Sequence, residues 1–244
     1  MSTLRSYLLL IRWQALRYKW LLPLIMVVQG LFALGIVAGY PLLFPEIDKG
    51  TIMFLATGAP AISLIMMGLV AVPQVVAQGK TEGSLQYIRS LPIPRLAMLM
   101  ADLTVWTVIV LPGVLVAVAV GSMRFGLDMS ISPLIIPAFA LVALTATGVG
   151  YALASVLPPM VSGLISQVLI VFVLMFSPLS FPAERLPGWL QTIHSVLPIQ
   201  AMGEVIRGSL ASTTFPLTNG AFLMLGVWCA ASLTAAFVML NRRA

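Results

Sequence analysis

Residues 78–95 read QGKTEGSLQYIRSLPIPR, and they form the one clearly polar, charged segment between long apolar runs in the interior of the chain. Three basic residues accompany a single carboxylate, Glu82, and Pro92 and Pro94 stand near the end of the segment. The pattern predicts a short amphipathic helix over 81–90 that the prolines terminate. The apolar runs on both sides of this segment decide the fold.

The composition is that of a protein that crosses a membrane several times. Hydrophobic residues make up 60% of the chain and charged residues 8%, and the mean hydropathy is +1.08. A soluble domain usually has about a quarter of its residues charged. The net charge of +6 does not indicate nucleic-acid binding, because the basic residues stand at the ends of apolar runs and not on one continuous face.

The uncharged runs predict an all-α fold with six transmembrane helices. A helix that crosses the hydrocarbon layer needs about 20 apolar residues. The longest run, 129–183, is divided at Pro158 and Pro159, because a proline pair does not continue a helix. The chain is therefore one membrane domain, 1–244, with spans over about 20–43, 52–78, 96–121, 132–157, 160–181 and 217–241.

The first 19 residues predict an amphipathic helix that lies along the membrane surface. Arg5, Arg12 and Arg17 alternate there with apolar residues at helical spacing. A signal peptide is the alternative, but the uncharged run over 20–45 exceeds the roughly 7–15 residues of such a core.

The distribution of basic residues predicts the orientation. Six spans place both termini on one side, together with 78–95. That side holds nine basic residues, Arg5, Arg12, Arg17, Lys19, Lys80, Arg89, Arg95, Arg242 and Arg243, against four on the other. Positive charge is retained on the cytoplasmic side, so we expect both termini in the cytoplasm.

Residues 182–215 predict an outer hairpin of two short helices joined at a proline. Each piece is too short to span, and its marked residues are Pro182, Pro187, Trp189, His194, Pro198, Glu204 and Arg207. The hairpin can dip into the outer leaflet if protein or water covers its broken backbone, or it can form a plain interfacial loop. The sequence leaves both alternatives open.

The sequence contains no complete motif for a nucleotide, metal or catalytic site. Gly79, Lys80 and Thr81 resemble the end of a phosphate-binding loop, but Gln74 stands where that motif requires glycine. His194 is the single histidine and has no ligand partners at metal-binding spacing. We therefore expect no nucleotide site, no metal, no cofactor and no enzyme activity in this chain.

Four polar residues within the predicted spans are candidates for a pathway or for helix packing. Asp102 is the only carboxylate among them, and such a residue is a functional candidate by default. It lies two helical turns beyond Arg95, about 10 Å along the axis, so pairing with a basic residue is favoured over handling of protons or substrate. Gln29, Gln74 and Gln167 either line a pathway or bond between helices.

Two stretches resemble a known family. Residues 80–85, KTEGSL, followed by 91–95, LPIPR, resemble the E-x-G-[ST]-L…P-x-x-R segment between the second and third spans of type-2 ATP-binding cassette permeases, also called ABC-2 type exporters. Residues 181–190, FPAERLPGWL, continuing to Pro198 and Arg207, are similar to the hairpin before the sixth span of the drug, lipid and polysaccharide exporters in that family. Asp102 departs from the family pattern, which has a neutral or basic residue early in the third span.

The resemblance covers essentially the whole chain and implies a permease subunit in a bacterial-type inner membrane. It implies two copies of a separate ATPase subunit that holds ATP and magnesium, and a second permease chain, identical or different. The apolar composition with few charges favours a hydrophobic or amphiphilic substrate. Residues 79–95 become the coupling segment to the ATPase, through Glu82, Gly83, Leu85, Ile88, Arg89, Pro92 and Arg95. An ion- or proton-coupled carrier or channel that uses Asp102 is the alternative, and a membrane enzyme comes third.

Overall fold

The computed structural model describes residues 3–17, 19–39, 42, 48–84 and 95–242, and within them the chain is helical without any β-strand. Among these described residues, six helices are long and apolar enough to cross a membrane, which confirms the predicted all-α fold with six spans. The helices are α1 Thr3–Arg17, α2 Leu21–Leu34, α3 Lys49–Met66, α4 Val72–Thr81, α5 Arg95–Phe125, α6 Ile135–Val156, α7 Pro159–Phe176, α8 Gly188–Val196, α9 Pro198–Leu210 and α10 Asn219–Arg242.

The spans are numbered in chain order. Span 1 is α2 and its continuation in a π-helical turn, Gly35–Gly39, and span 2 consists of α3 and α4 joined by the π-helical turn Met67–Ala71. Spans 3, 4, 5 and 6 are α5, α6, α7 and α10. Helix α1 covers the segment predicted to lie on the membrane surface, and α8 and α9 cover the segment of the predicted outer hairpin. The surface and outer placements stay predictions.

Span 2 lies at the centre of the bundle. Its residues 55–65 are all buried, and spans 3 and 4 and helix α9 pack around it. Small residues such as Ala56, Gly58 and Ala59 let the neighbouring backbones approach closely, as they do in many membrane helix pairs. The central position means that a displacement of span 2 reaches most of the bundle.

Spans 2 and 4 meet through glycines. Gly68 lies in the π-helical turn of span 2, and a Cβ atom built on Gly150 of span 4 would overlap the Gly68 carbonyl oxygen. A Cβ atom on Gly68 would in turn overlap Ala146. Only glycine fits at either position. Span 4 also packs along span 6, where Gly148 faces Ser232.

Spans 1, 5 and 6 form the periphery, since no more than 22% of each is buried. Large apolar side chains point outward from them, among them Val27, Leu164 and Leu223. Exposed apolar surface of this extent is typical of contact with lipid or with another protein. The bundle has two ends: the Lys80 end carries α1 and the last turn of span 2, and the Arg207 end carries α8 and α9.

Candidate functional site

Helix α1 packs on span 3 along a partly polar face. Ser6, Leu10 and Gln14 recur every four residues and are buried. The opposite face exposes Leu8, Leu9, Trp13 and Leu16. Arg5 and Arg12 are exposed, and the side chain of Arg17 lies outside the described part of the structure. The helix therefore has an outward apolar surface with arginines beside it, the pattern expected of a helix at a membrane interface.

Asp102 of span 3 joins three helices at the Lys80 end. The amide nitrogen of Gln14 in α1 donates to one carboxylate oxygen, and the hydroxyl of Tyr151 in span 4 donates to the other. Tyr7 and Thr104 form a second link between α1 and span 3, at 2.8 Å between their hydroxyl oxygens. Hydrogen bonds to an ionised carboxylate are about twice as strong as those between neutral groups. A basic partner for Asp102 stays a prediction, because these two donors are neutral.

Lys80 fastens the end of span 2 to the end of span 4. Its ammonium group donates to the carbonyl oxygen of Ala154, to that of Ser155 at 3.4 Å and to that of Leu157 at 3.1 Å. The last carbonyl groups of a helix have no partners within the helix and carry the negative end of its dipole. A lysine placed on them therefore stabilises both helix ends and holds them together.

Beyond Lys80 the chain turns sharply. The hydroxyl of Thr81 donates to the carbonyl oxygen of Gln78 at 2.8 Å, and the Gln78 side chain donates to the exposed Glu82 carboxylate at 2.6 Å. Gly83 follows with a φ of +73°, a left-handed conformation that glycine adopts without strain and that commonly ends helices. The turn thus presents Glu82 outward at the bundle end.

The rest of the predicted coupling segment falls outside the described residues. Leu85, Ile88, Arg89 and Pro92 belong to that part of the chain, so their roles stay predictions. Arg95 begins span 3, but its side chain is not described.

Arg207 in α9 is a buried cation at the opposite end. Its guanidinium carbon lies 3.5 Å from the centre of the Phe54 ring and 5.6 Å from that of Phe215, and Nη2 donates to the carbonyl oxygen of Leu179 at 3.2 Å. Burial lowers the pKa of Arg207 to about 10, and the nearby Glu204 carboxylate opposes that shift. The residue stays charged at neutral pH and ties span 2, α9 and the segment after span 5 together.

The first helix of the hairpin, α8, is held at two points. The His194 Nε2 atom is 2.8 Å from the carbonyl oxygen of Phe176, and its ring stacks on Phe172 at 5.9 Å between centres. Trp228 of span 6 donates to the carbonyl oxygen of Val196 at 3.0 Å. Among the described residues no His, Cys, Asp and Glu group suited to a metal occurs. His194 is a buried packing residue of α8.

Among the other marked hairpin residues, the prolines stand at turns and helix starts, and one residue is exposed. Pro182 and Pro187 precede the 3-10 turn Ala183–Arg185 and helix α8, and Pro198 begins α9. Trp189 is exposed, whereas the Glu204 side chain accepts a hydrogen bond from Gln200 at 2.8 Å. Helix α9 is buried against spans 2, 4 and 6 and forms part of the protein core.

Of the three glutamines, one is half-buried and two are exposed. Gln29 is half-buried between spans 1 and 3, where a Cβ atom on Gly113 would come 3.0 Å from its carbonyl oxygen. Its side-chain oxygen is buried without a hydrogen-bond partner among the described residues. Gln74 and Gln167 are exposed on spans 2 and 5. The structure does not bring these three residues together with Asp102.

The chain matches a known family of membrane transporters over most of its length. The sequence model of the ABC-2 type transporter family matches residues 4–211 of the chain. No curated protein sequence matches the chain. The matched residues extend from α1 to the end of α9, so they include Asp102, Lys80 and Arg207.

Proposed function

The chain belongs to the ABC-2 type transporter family, and on this basis we propose that it is the permease subunit of an exporter. It is a multi-pass membrane protein with the family's membrane-spanning domain. In our proposal it moves a hydrophobic or amphiphilic substrate out of the cytoplasm. The energy comes from ATP that a separate ATPase subunit hydrolyses. The chain itself binds no nucleotide and is not an enzyme.

The link from Lys80 to span 4 is the observation that carries the proposal. A partner that pushes on residues 81–84 moves the last turn of span 2, which is held to the carbonyl groups at the end of span 4. Span 2 is buried at the centre of the bundle and contacts span 4 through Gly68 and Gly150. Close packing transmits such a displacement because the interior cannot be compressed. The push therefore becomes a tilt of two spans.

The proposed assembly contains two ATPase copies with ATP and magnesium, and two permease chains, identical or different. The exposed apolar faces of spans 1, 5 and 6 provide surface for the second permease and for lipid. The excess of basic residues at the Lys80 end supports cytoplasmic termini in a bacterial-type inner membrane. No nucleic acid is expected as a partner.

The test is purification with a candidate ATPase, followed by transport and ATP hydrolysis in proteoliposomes. We expect Glu82→Ala and Arg89→Ala to reduce transport per ATP hydrolysed, because both remove charges offered to the ATPase. Glu184→Ala is the matched control, since Glu184 is an exposed carboxylate at the other end of the bundle. Transport that is driven by a proton gradient and needs no ATPase would overturn the proposal and favour a carrier that uses Asp102.

A further inference from the structure

A cleft of about 250 Å³ opens at the Arg207 end, between the start of span 2 and the segments around residues 180–185 and 214–215. Its walls carry three aromatic rings, those of Phe54, Phe181 and Phe215. They also carry one carboxylate and one guanidinium, from Asp48 and Arg185. Concave, mainly apolar sites with a few fixed polar groups are where proteins bind small molecules.

The negative charge in the cleft is held in place. Asp48 caps the first turn of span 2, where the Thr51 backbone N–H donates to Oδ2 at 3.0 Å and the Thr51 hydroxyl donates to Oδ1 at 2.6 Å. These hydrogen bonds lower the pKa of the Asp48 carboxyl, so the group is an anion at neutral pH. The remaining lone pairs of both oxygens can still accept from a ligand.

The positive charge stands on a short turn across the cleft. Arg185 ends the 3-10 turn Ala183–Arg185. The backbone N–H of Arg185 donates to the carbonyl oxygen of Pro182 at 3.1 Å. Its side chain is exposed and carries a positive charge. The planar guanidinium suits a phosphate or carboxylate group, which it can hold with two parallel hydrogen bonds.

The aromatic wall is preformed. Phe54 and Phe215 pack edge to face with their ring centres 6.1 Å apart, and the buried Arg207 guanidinium stacks on both. Arg207 does not line the cleft itself. It fixes the two rings from the protein interior, so the apolar wall does not need to be ordered when a ligand enters.

We propose that this cleft binds the head group of a zwitterionic amphiphile, with its anionic group on Arg185, its ammonium group on Asp48 and the start of its apolar chain on Phe54 and Phe215. A purely anionic head would meet repulsion from Asp48, and a neutral head would bring no opposite charge to either side chain. The volume suits a head group and the first carbons of a chain, but not a whole lipid. The proposal goes beyond the export function, because it holds whichever way the chain transports its substrate.

The test is native mass spectrometry of the full chain in a non-ionic detergent, with added phosphatidylethanolamine, phosphatidylglycerol or diacylglycerol. We expect phosphatidylethanolamine to bind most tightly. Arg185→Gln and Asp48→Asn should each weaken its binding about 10-fold, as expected for loss of one charge-assisted hydrogen-bonded pair. Asparagine caps helices as well as aspartate does, so Asp48→Asn leaves the start of span 2 intact.

Two neighbours supply matched controls. Lys49 directly follows Asp48 and has the same charge as Arg185. Glu184 directly precedes Arg185 and has the same charge as Asp48. Both side chains are exposed and neither lines the cleft. Lys49→Gln and Glu184→Gln should leave the binding of phosphatidylethanolamine unchanged. An equal loss in these controls would show general surface attraction and overturn the proposal, as would equal binding of phosphatidylglycerol to the unmodified protein.

A second measurement separates the two possible sources of the ligand. Labelled phosphatidylethanolamine is placed in proteoliposomes with the ATPase, and its movement between leaflets is followed. Movement that needs ATP and is lost in Arg185→Gln identifies exported cargo, whereas binding without movement identifies a resident lipid of the leaflet. Both results support the cleft as a head-group site. Movement that persists in Arg185→Gln and Asp48→Asn, with binding also unchanged, contradicts it.

Discussion

The ammonium nitrogen of Lys80 lies 3.1 Å from the carbonyl oxygen of Leu157, the residue directly after span 4. The two residues are 77 positions apart in the sequence, so this contact joins the ends of two separate spans. It lies immediately before the turn that presents Glu82. The start of the polar segment is thus attached to the end of span 4 in addition to being continuous with span 2.

Replacing Lys80 with methionine should loosen this end of the bundle. The variant keeps a long apolar side chain but loses the cation on the last carbonyl groups of span 4, which should cost about 1–2 kcal/mol. We expect a fall of roughly 2–8 °C in the melting temperature in detergent. Lys49→Met is the matched control, because Lys49 is exposed at the beginning of span 2. A melting temperature unchanged in Lys80→Met would show that the contact contributes nothing.

Asparagine at position 102 should release helix α1 from the bundle. Asp102→Asn removes the charge that Gln14 and Tyr151 bond to and turns one acceptor into a donor. If the contact between α1 and the bundle loses about 1.4 kcal/mol of stability, the population in which α1 is locally open rises about 10-fold. Hydrogen exchange over residues 3–17 should therefore speed up by that factor.

The control for Asp102 is Asp128→Asn, an exposed carboxylate at the other end of the bundle, which should leave exchange in α1 unchanged. If Asp102→Asn abolishes transport while α1 keeps its protection, the carboxylate handles ions or substrate and is not a positioning residue. That result would favour the carrier alternative.

The contact of spans 2 and 4 should not tolerate a single added methyl group. Gly150→Ala places a Cβ atom against the Gly68 carbonyl oxygen, and backbone cannot move aside as a flexible side chain does. Overpacking of this kind costs about 1–3 kcal/mol. Gly163→Ala is the control, because a Cβ atom there meets nothing within 4 Å in span 5. It should be neutral or stabilising by up to about 1 kcal/mol, because alanine is the better helix former. Equal melting temperatures for the two variants would contradict the packing.

The six spans could be predicted because each depends only on the hydrophobicity and length of its own stretch of sequence. A run of about 20 apolar residues satisfies the thickness of the bilayer regardless of what packs against it. The bounds were less predictable. The sequence predicts a fifth span that reaches 181, but its helix ends at Phe176. The uncharged run continues through a non-helical segment at 177–180, buried at 177–179, so no charge marks the helix end.

The partners of the polar residues could not be predicted, because they come from distant parts of the chain. Spacing along one helix placed Arg95 near Asp102, whereas Gln14 and Tyr151 are 88 and 49 residues away. Periodicity alone gave no sign of them, although a tyrosine in an apolar span usually needs a hydrogen-bond partner. The sequence marks Lys80 only as part of an incomplete phosphate-loop motif. Its role depends on where span 4 ends in space.

Arginine 207 should be among the positions most sensitive to substitution. Arg207→Ala removes the cation from Phe54 and Phe215 and leaves the Leu179 carbonyl oxygen without this donor. The combined loss should be about 2–4 kcal/mol. Arg207→Met fills the same space without a charge and should cost less. Arg185→Met is the control, because its exposed guanidinium contributes little to stability. Equal melting temperatures for Arg207→Ala and Arg185→Met would contradict this role.

The same residue gives the protein a specific response to alkaline pH. Burial lowers the folded-state pKa of Arg207 to about 10, well below the ordinary value of an arginine, so above pH 10 there is a window in which the unfolded chain holds a proton that the folded chain has released. Stability from this group therefore rises with pH in that window, by up to about 1.4 kcal/mol per pH unit. Below pH 10 both states are protonated and the slope vanishes. The unmodified protein should thus gain melting temperature relative to Arg207→Met between pH 10 and 11, but not between pH 8 and 9. A difference that is constant over pH 8–11 would show that Arg207 keeps its ordinary pKa in the folded state.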